Sequence, residues 1–184
     1  YMANSAEDLS WTVSYDVENA TDKVTDISVL SSAAYYNGAK DPWYTIGFKG
    51  NAVATKSVYE DTNSDKFNDL ITTNKASGTF TISSGVITAD IVVGNLLSKT
   101  YYYLANDDAT TVEEREMIDY AMSYKADGST ISTRTDYYYM PNSAEDLSWT
   151  VSYDVENALD KVTDTSVLSS AAYYNGAKDP WYTI

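Results

Sequence analysis

Cysteine and histidine are both absent from this chain of 184 residues. Without cysteine there is no disulfide, no thiol nucleophile and no Cys-based zinc site. Without histidine the commonest general base and the commonest transition-metal ligand are missing. Basic residues are scarce: 12 Lys plus Arg face 27 Asp plus Glu, a net charge of −15. That balance argues against a nucleic-acid partner, whose phosphates call for a basic patch, and against anionic membrane surfaces. No apolar run reaches the roughly 18 residues of a helical span, so no membrane span is expected. The opening residues carry no signal-peptide pattern.

What is present is tyrosine, at 18 residues, with 4 Trp and only 3 Phe, and 21 Ser and 21 Thr besides. Aromatic and β-branched side chains suit a pleated, half-buried surface. Hydroxyl residues suit the solvated face of such a sheet and its turns. An acidic, cysteine-free, Thr/Ser/Tyr-rich chain has the composition of a secreted microbial surface protein, so an extracellular or cell-surface location is expected.

The chain repeats itself. The 46 residues from Tyr1 to Ile46 return from Tyr139 to Ile184, at an offset of 138, with 43 positions identical. The three changes are Ala3 to Pro141, Thr21 to Leu159 and Ile27 to Thr165. The last two exchange a hydroxyl for an aliphatic group, which a core site tolerates poorly, so partly exposed positions are expected there. Residues 1–138 form one full period and 139–184 the start of the next. The array starts and stops mid-register, which points to an excerpt of a longer polymer.

A weaker repeat lies inside the period. Alternating stretches begin at Thr12, Thr45, Thr79 and Ala121 and again at Thr150, spaced by 33, 34, 42 and 29 residues. Each leads to a second extended run ending in tyrosine, at Tyr35-Tyr36, Tyr59, Tyr101-Tyr102-Tyr103 and Tyr137-Tyr138-Tyr139, and then to an acidic connector. This gives hairpin units at about 10–42, 43–76, 77–118 and 119–148, a period typical of repeat arrays. Period-two alternation marks the strands. It places Trp11, Val13 and Tyr15 on one face, as it does Tyr44, Ile46 and Phe48, then Phe80 with Ile82, and Tyr120, Met122 and Tyr124. Trp149 and Tyr153 repeat Trp11 and Tyr15. The core aromatic set is therefore Trp11, Tyr15, Tyr44, Phe48, Phe80, Tyr120, Tyr124, Trp149 and Tyr153. Gly50-Asn51, Ser84-Gly85 and Asp127-Gly128 sit where tight hairpins need positive φ. One short helix is expected near 111–117, where Glu113, Glu114 and Glu116 suit the positive end of a helix dipole.

The fold class expected is mainly β, with tandem β-hairpins forming an elongated solenoid or spiral array. Each unit has one apolar side and needs its neighbours to cover it.

Chemistry is sparse. Asn106, Asp107 and Asp108, and Asp61 and Asp65 with Asn63, offer oxygen ligands of the kind Ca²⁺ takes; solvated turns use the same residues. No other cofactor is called for. No catalytic residue is assigned, because no Gly-x-Ser-x-Gly, phosphate-loop or dinucleotide signature occurs. The tyrosine clusters read first as caps on the core between hairpins and second as a platform for glycans.

The segment Ser123 to Tyr139, with its tyrosine, Asp-Gly turn, hydroxyl-rich return strand and terminal tyrosines, resembles the YD-type hairpin repeats of large bacterial surface proteins and Rhs-like shells. The units here are longer than a YD repeat and lack its Gly-Arg signature. The resemblance implies an extracellular β-hairpin array and carries no catalytic residue with it. The expected function is structural: a subunit of an extracellular filament, sheath or surface fibre, whose partners are adjacent repeats and neighbouring chains. The alternatives are an adhesin stalk of separate Ig-like β-sandwich domains and a carbohydrate-active enzyme or glycan-binding module.

Overall fold

A computed structural model describes residues 10–16, 30–36, 42–50, 52–62, 68–102, 117–140, 146–155, 168–174 and 180–184. These form eleven strands: β1 (Trp11–Tyr15), β2 (Leu30–Tyr35), β3 (Tyr44–Lys49), β4 (Ala52–Glu60), β5 (Leu70–Ser83), β6 (Val86–Tyr102), β7 (Ile118–Tyr124), β8 (Ile131–Tyr139), β9 (Leu147–Asp154), β10 (Leu168–Tyr173) and β11 (Tyr182–Thr183). They lie in one open antiparallel sheet in the order β1 to β11, each strand beside its neighbours in sequence. The protein is thus mainly β. No helix occurs among the described residues, and positions 111–116 of the expected helix lie outside them.

Local chemistry accounts for the strands. In β1, Trp11, Val13 and Tyr15 are half-buried while Thr12 and Ser14 are exposed, the two-residue alternation of a strand with one covered face. The turns use the residues with the needed backbone freedom. Gly50, Gly85 and Gly128 have φ of 60°, 78° and 72°, the left-handed region that glycine enters without a Cβ clash.

The unit boundary expected between residues 76 and 77 falls inside a strand, since β5 runs unbroken from Leu70 to Ser83. The expected boundary follows from the alternating stretch that begins at Thr79, and the strand extends back through it. Gly78, within this strand, holds φ 127° and lets the backbone of β6 come close. A Cβ at this position would overlap the carbonyl oxygen of Asp90. Gly78→Ala is therefore expected to lower the unfolding free energy by about 1–3 kcal/mol, read as a fall in the urea midpoint. Gly94→Ala is the matched control: its Cβ would rest 3.4 Å from the Lys75 carbonyl oxygen, and its φ is not in the strained range. A change under about 1 kcal/mol is expected for it.

The chain divides into two compact units. The first comprises Tyr1–Tyr59 and Thr73–Asn95. Its core holds Leu30, Ala33, Ile46, Val53 and Phe80, ringed by Trp11, Val13, Tyr15, Tyr44 and Phe48 from β1 to β3 and by Ala76, Ile87, Ala89 and Ile91 from the outer part of the β5–β6 hairpin. Trp11 and Phe80 sit on strands four ladder steps apart, about 19 Å along a flat sheet. Their rings nonetheless lie 5.6 Å apart, and Phe48 lies 5.1 Å from Phe80. Within this unit the sheet must therefore fold over, laying the outer hairpin across β1 to β4. The force is burial: a fully covered phenylalanine contributes roughly 1.5–3 kcal/mol.

The second unit comprises Glu60–Thr72 and Leu96–Ile184. It contains the meander from the end of β6 through β11. Among its described residues Ile131, Val155 and Ala171 are buried hydrophobics, and Asp69 is buried as well. The Asp69 carboxylate accepts hydrogen bonds from the Thr62 N–H and hydroxyl, both at 2.7 Å, which ties the chain between β4 and β5.

Candidate functional site: the repeated aromatic ribbon

The 46-residue repeat builds a row of rings. Trp11 stands directly opposite Tyr35, and Tyr35 opposite Tyr44, so one ring from each of β1, β2 and β3 lines up across the strands. The Trp11–Tyr35 centroids are 5.0 Å apart and tilted by 50°; the Tyr35–Tyr44 pair is at 5.2 Å and 34°. Trp11 meets Tyr44 edge-on at 5.8 Å and 84°. Trp43 joins at 6.4 Å from Tyr35. The Lys56 ammonium, from β4, lies 4.3 Å from the Tyr44 ring centre, a cation over the negative face of the ring. Burial, and secondarily Tyr35, push the Tyr44 phenol up.

β9, β10 and β11 rebuild the same row. The Trp149–Tyr173 pair is at 4.9 Å and 46°, Tyr173–Tyr182 at 5.4 Å and 41°, and Trp149–Tyr182 at 5.8 Å and 86°. Trp181 lies 6.2 Å from Tyr173. Register is kept as well. Trp149 faces Tyr173 as Trp11 faces Tyr35, and the shift that sets Tyr15 against Leu30 recurs between Tyr153 and Leu168. Near-identical sequence has produced one local structure twice, at both ends of the described chain.

Elsewhere in the second unit, the rings of Tyr101 and Tyr120 stack at 4.5 Å and 20°. The Arg134 guanidinium covers Tyr120 at 4.1 Å and donates from Nε to Asp136 Oδ1 at 2.6 Å. Burial pushes the neighbouring Asp119 carboxyl up; Arg134 opposes this and Asp136 reinforces it. The Tyr139 hydroxyl accepts from the Ile118 N–H at 2.9 Å and donates to the Ile118 carbonyl at 3.1 Å, pinning the start of β7 to the end of β8. On polar faces, hydroxyls pair across strands within each unit: Ser57 with Thr73 at 2.8 Å, and Thr135 with Ser152 at 2.9 Å.

The Asp127-Gly128 turn is held by Asp127. Its carboxylate accepts from the Ser129 N–H, the Thr130 N–H and the Thr130 hydroxyl at 2.8, 2.9 and 2.6 Å. The hydroxyl of Thr130 leads the causes that hold this carboxyl well below its ordinary value of 3.8. A carboxyl with a depressed folded-state pKa stabilises the fold above its unfolded pKa and loses that contribution as pH falls through and below it. For Asp127→Ala, the melting temperature is expected to fall most below wild type near about pH 6, with the gap closing toward about pH 2. Melting curves across that range check this, and a gap independent of pH would contradict it.

Of the residues singled out in the sequence, Phe80 is buried in the first core, with Trp11, Tyr15, Tyr44 and Phe48 packed around it. Tyr120, Tyr124, Trp149 and Tyr153 are half-buried in the second unit. Sequence reasoning passed over Leu30, Ala33 and Val53, which are more deeply covered than most of the rings. Only the pairing reveals them: Ala33 lies between Val13 and Ile46 on the neighbouring strands. Asp61 is exposed just beyond β4. The other candidate calcium ligands, Asn106, Asp107, Asp108 and Asp65 with Asn63, lie outside the described residues, as do Glu113, Glu114, Glu116 and the three substituted pairs of the repeat. No group of three or more acidic side chains gathers to hold a metal among the described residues. Nor, among them, is any helix long and apolar enough to cross a membrane. The arrangement offers apolar area, aromatic faces and paired hydroxyls, which is the chemistry of packing and docking.

No protein-family model, curated protein or solved structure matches this chain.

Proposed function

We propose that this chain is a structural element of an extracellular filament, sheath or surface fibre, built from tandem β-hairpins that stack on one another. The observation that carries this reading is the duplicated aromatic row. A unit that returns after 138 residues with the same register and ring spacing can be added again by the same rules. Repetition of one head-to-tail contact generates an open array. The strongly acidic surface keeps such an array from clumping, and the paired hydroxyls add cross-strand hydrogen bonds without greasy exposure. The sequential strand order lacks the Greek-key crossover of an Ig-like sandwich among the described strands, which favours the array over a string of separate sandwich domains.

Small-angle scattering and negative-stain microscopy on chains of one, two and three periods test the reading. A rod whose length grows linearly with period number at constant cross-section is expected. Flexible beads, each one period long, would favour the adhesin stalk instead.

A second reading draws on exposed aromatics. Trp43 and Trp181, equivalent positions of the repeat, and Tyr138 present open ring surface. Such faces suit glycan contact by an adhesive fibre. Retention of the chain on polysaccharide, lost in a Trp43→Ala/Trp181→Ala double variant, is the expected sign of it.

A further inference from the structure

The ladder between β6 and β7 sets one tyrosine directly against another, Tyr101 opposite Tyr120. Both are half-buried. Their rings, at 4.5 Å and 20°, are the closest and most nearly parallel of the ring pairs described above. Arg134 approaches Tyr120 from the other neighbouring strand, β8, with its guanidinium 4.1 Å from the ring centre, and Asp136 holds it there. Tyr120 is thus fixed between a ring from β6 and a cation from β8. The tyrosine pairs of the repeated rows are built differently. Trp11 meets both Tyr35 and Tyr44, and Trp149 meets both Tyr173 and Tyr182, so a third ring keeps each pair tilted.

The place of the stack in the chain gives it a use. β6 ends at Tyr102 and β7 starts at Ile118, and residues 103–117 are the longest stretch between neighbouring strands of the sheet. A cross-link that closes a long stretch restricts the unfolded chain most. Cysteine is absent and tyrosine abundant, so a covalent closure here must come from phenols.

We propose that Tyr101 and Tyr120 are joined as a dityrosine clasp between β6 and β7, made by a one-electron oxidant of the peroxidase and hydrogen peroxide class. Burial, and after it Tyr101, pushes the Tyr120 phenol up, with Arg134 opposing, so at neutral pH this phenol gives up its proton together with its electron. Each phenol loses one electron and one proton, leaving two phenoxyl radicals side by side. A carbon–carbon bond forms between the ring carbons next to the two hydroxyls. The hydrogen on each of those carbons then returns to a phenol oxygen as the rings regain aromaticity. The chain loses two hydrogen atoms in all, and one peroxide takes up two electrons and two protons to become two waters. Turning the rings about Cβ–Cγ brings the reacting carbons together, while the ladder holds the two Cβ atoms about 5 Å apart. The bond lies within one chain, so it stands or falls independently of the fibre reading.

Photo-oxidation of the dilute full chain with ruthenium tris-bipyridyl and persulfate supplies a one-electron oxidant that also works in urea. After trypsin, the peptides Thr100–Arg115 and Glu116–Lys125 are expected joined and two hydrogen atoms lighter than their sum, with fragment ions placing the bond at Tyr101 and Tyr120. The yield should be at least about 10-fold higher from the folded chain than from the chain in urea, because the fold supplies the orientation. Tyr120→Phe keeps a ring in the stack and removes the phenol, so it should abolish this link; Tyr101→Phe should do the same. The linked chain should unfold at a higher urea midpoint than the untreated chain, a gain that oxidised Tyr120→Phe lacks. Absence of the link, equal yields with and without urea, coupling of Tyr35 to Tyr44 as readily as Tyr101 to Tyr120, or a link that leaves the midpoint unchanged would each overturn the proposal.

Discussion

Phe80→Ala is expected to remove about 3–5 kcal/mol of stability, the usual range for truncating a buried phenylalanine. Phe80 is 4% exposed and is the ring through which the outer β5–β6 hairpin closes on β1 and β3. Its loss leaves a cavity bounded by Trp11 and Phe48, rings that were 5.6 and 5.1 Å away. Small domains have a net stability of only about 5–15 kcal/mol, so one substitution consumes a large share of it. Urea unfolding followed by Trp fluorescence measures the shift. A double-mutant cycle with Trp11→Ala should return a coupling of about 0.5–1.5 kcal/mol, the range for a direct ring–ring contact. A Phe80→Ala cost below about 1 kcal/mol would mean that the hairpin does not cover the sheet.

The second large effect is a contrast between two isoleucines at the same position of the repeat. Ile46→Ala should cost about 2–5 kcal/mol, as for other fully buried isoleucines. Ile184→Ala should stay within about 0.5 kcal/mol, as for a surface site. Both residues sit at the same register position in the same local sequence, 0% and 73% exposed respectively. Ile46 lies between Ala33 and Lys56 on two neighbouring strands, whereas Ile184 pairs with Ala171 alone, so the contrast reads the added strand and the covering hairpin together. Equal costs for the two would show that the cover over β1–β3 contributes nothing at this position.

Much of the fold was legible because it is local. Alternation in β1, the glycine turns and the tyrosine-rich strand ends are decided within a few residues, by Cβ sterics and by which side of a pleat meets water. The length of β5 and β6 was not. The alternating stretch begins again at Thr79, and nothing in the sequence shows that Gly78 carries the strand across that point by letting Asp90 come close. The meeting of Phe80 with Trp11 was also hidden, since it depends on how a sheet folds over and not on any pattern in either strand. Leu30 and Leu168 give the plainest limit. They occupy the same position in near-identical stretches, and they differ in exposure because burial belongs to the neighbour as much as to the residue.

The strictly consecutive strand order has a kinetic consequence. Each ladder joins segments adjacent along the chain, so loop-closure entropy is small for every pairing, and contact order is low for an all-β protein. Hairpins can zip one after another as the polypeptide leaves the ribosome, without waiting for distant partners. The closure of Phe80 onto Trp11 spans far more chain and should come late. Refolding should thus show fast ladder formation followed by a slower gain of tryptophan burial, with Phe80→Ala speeding unfolding far more than it slows the first phase.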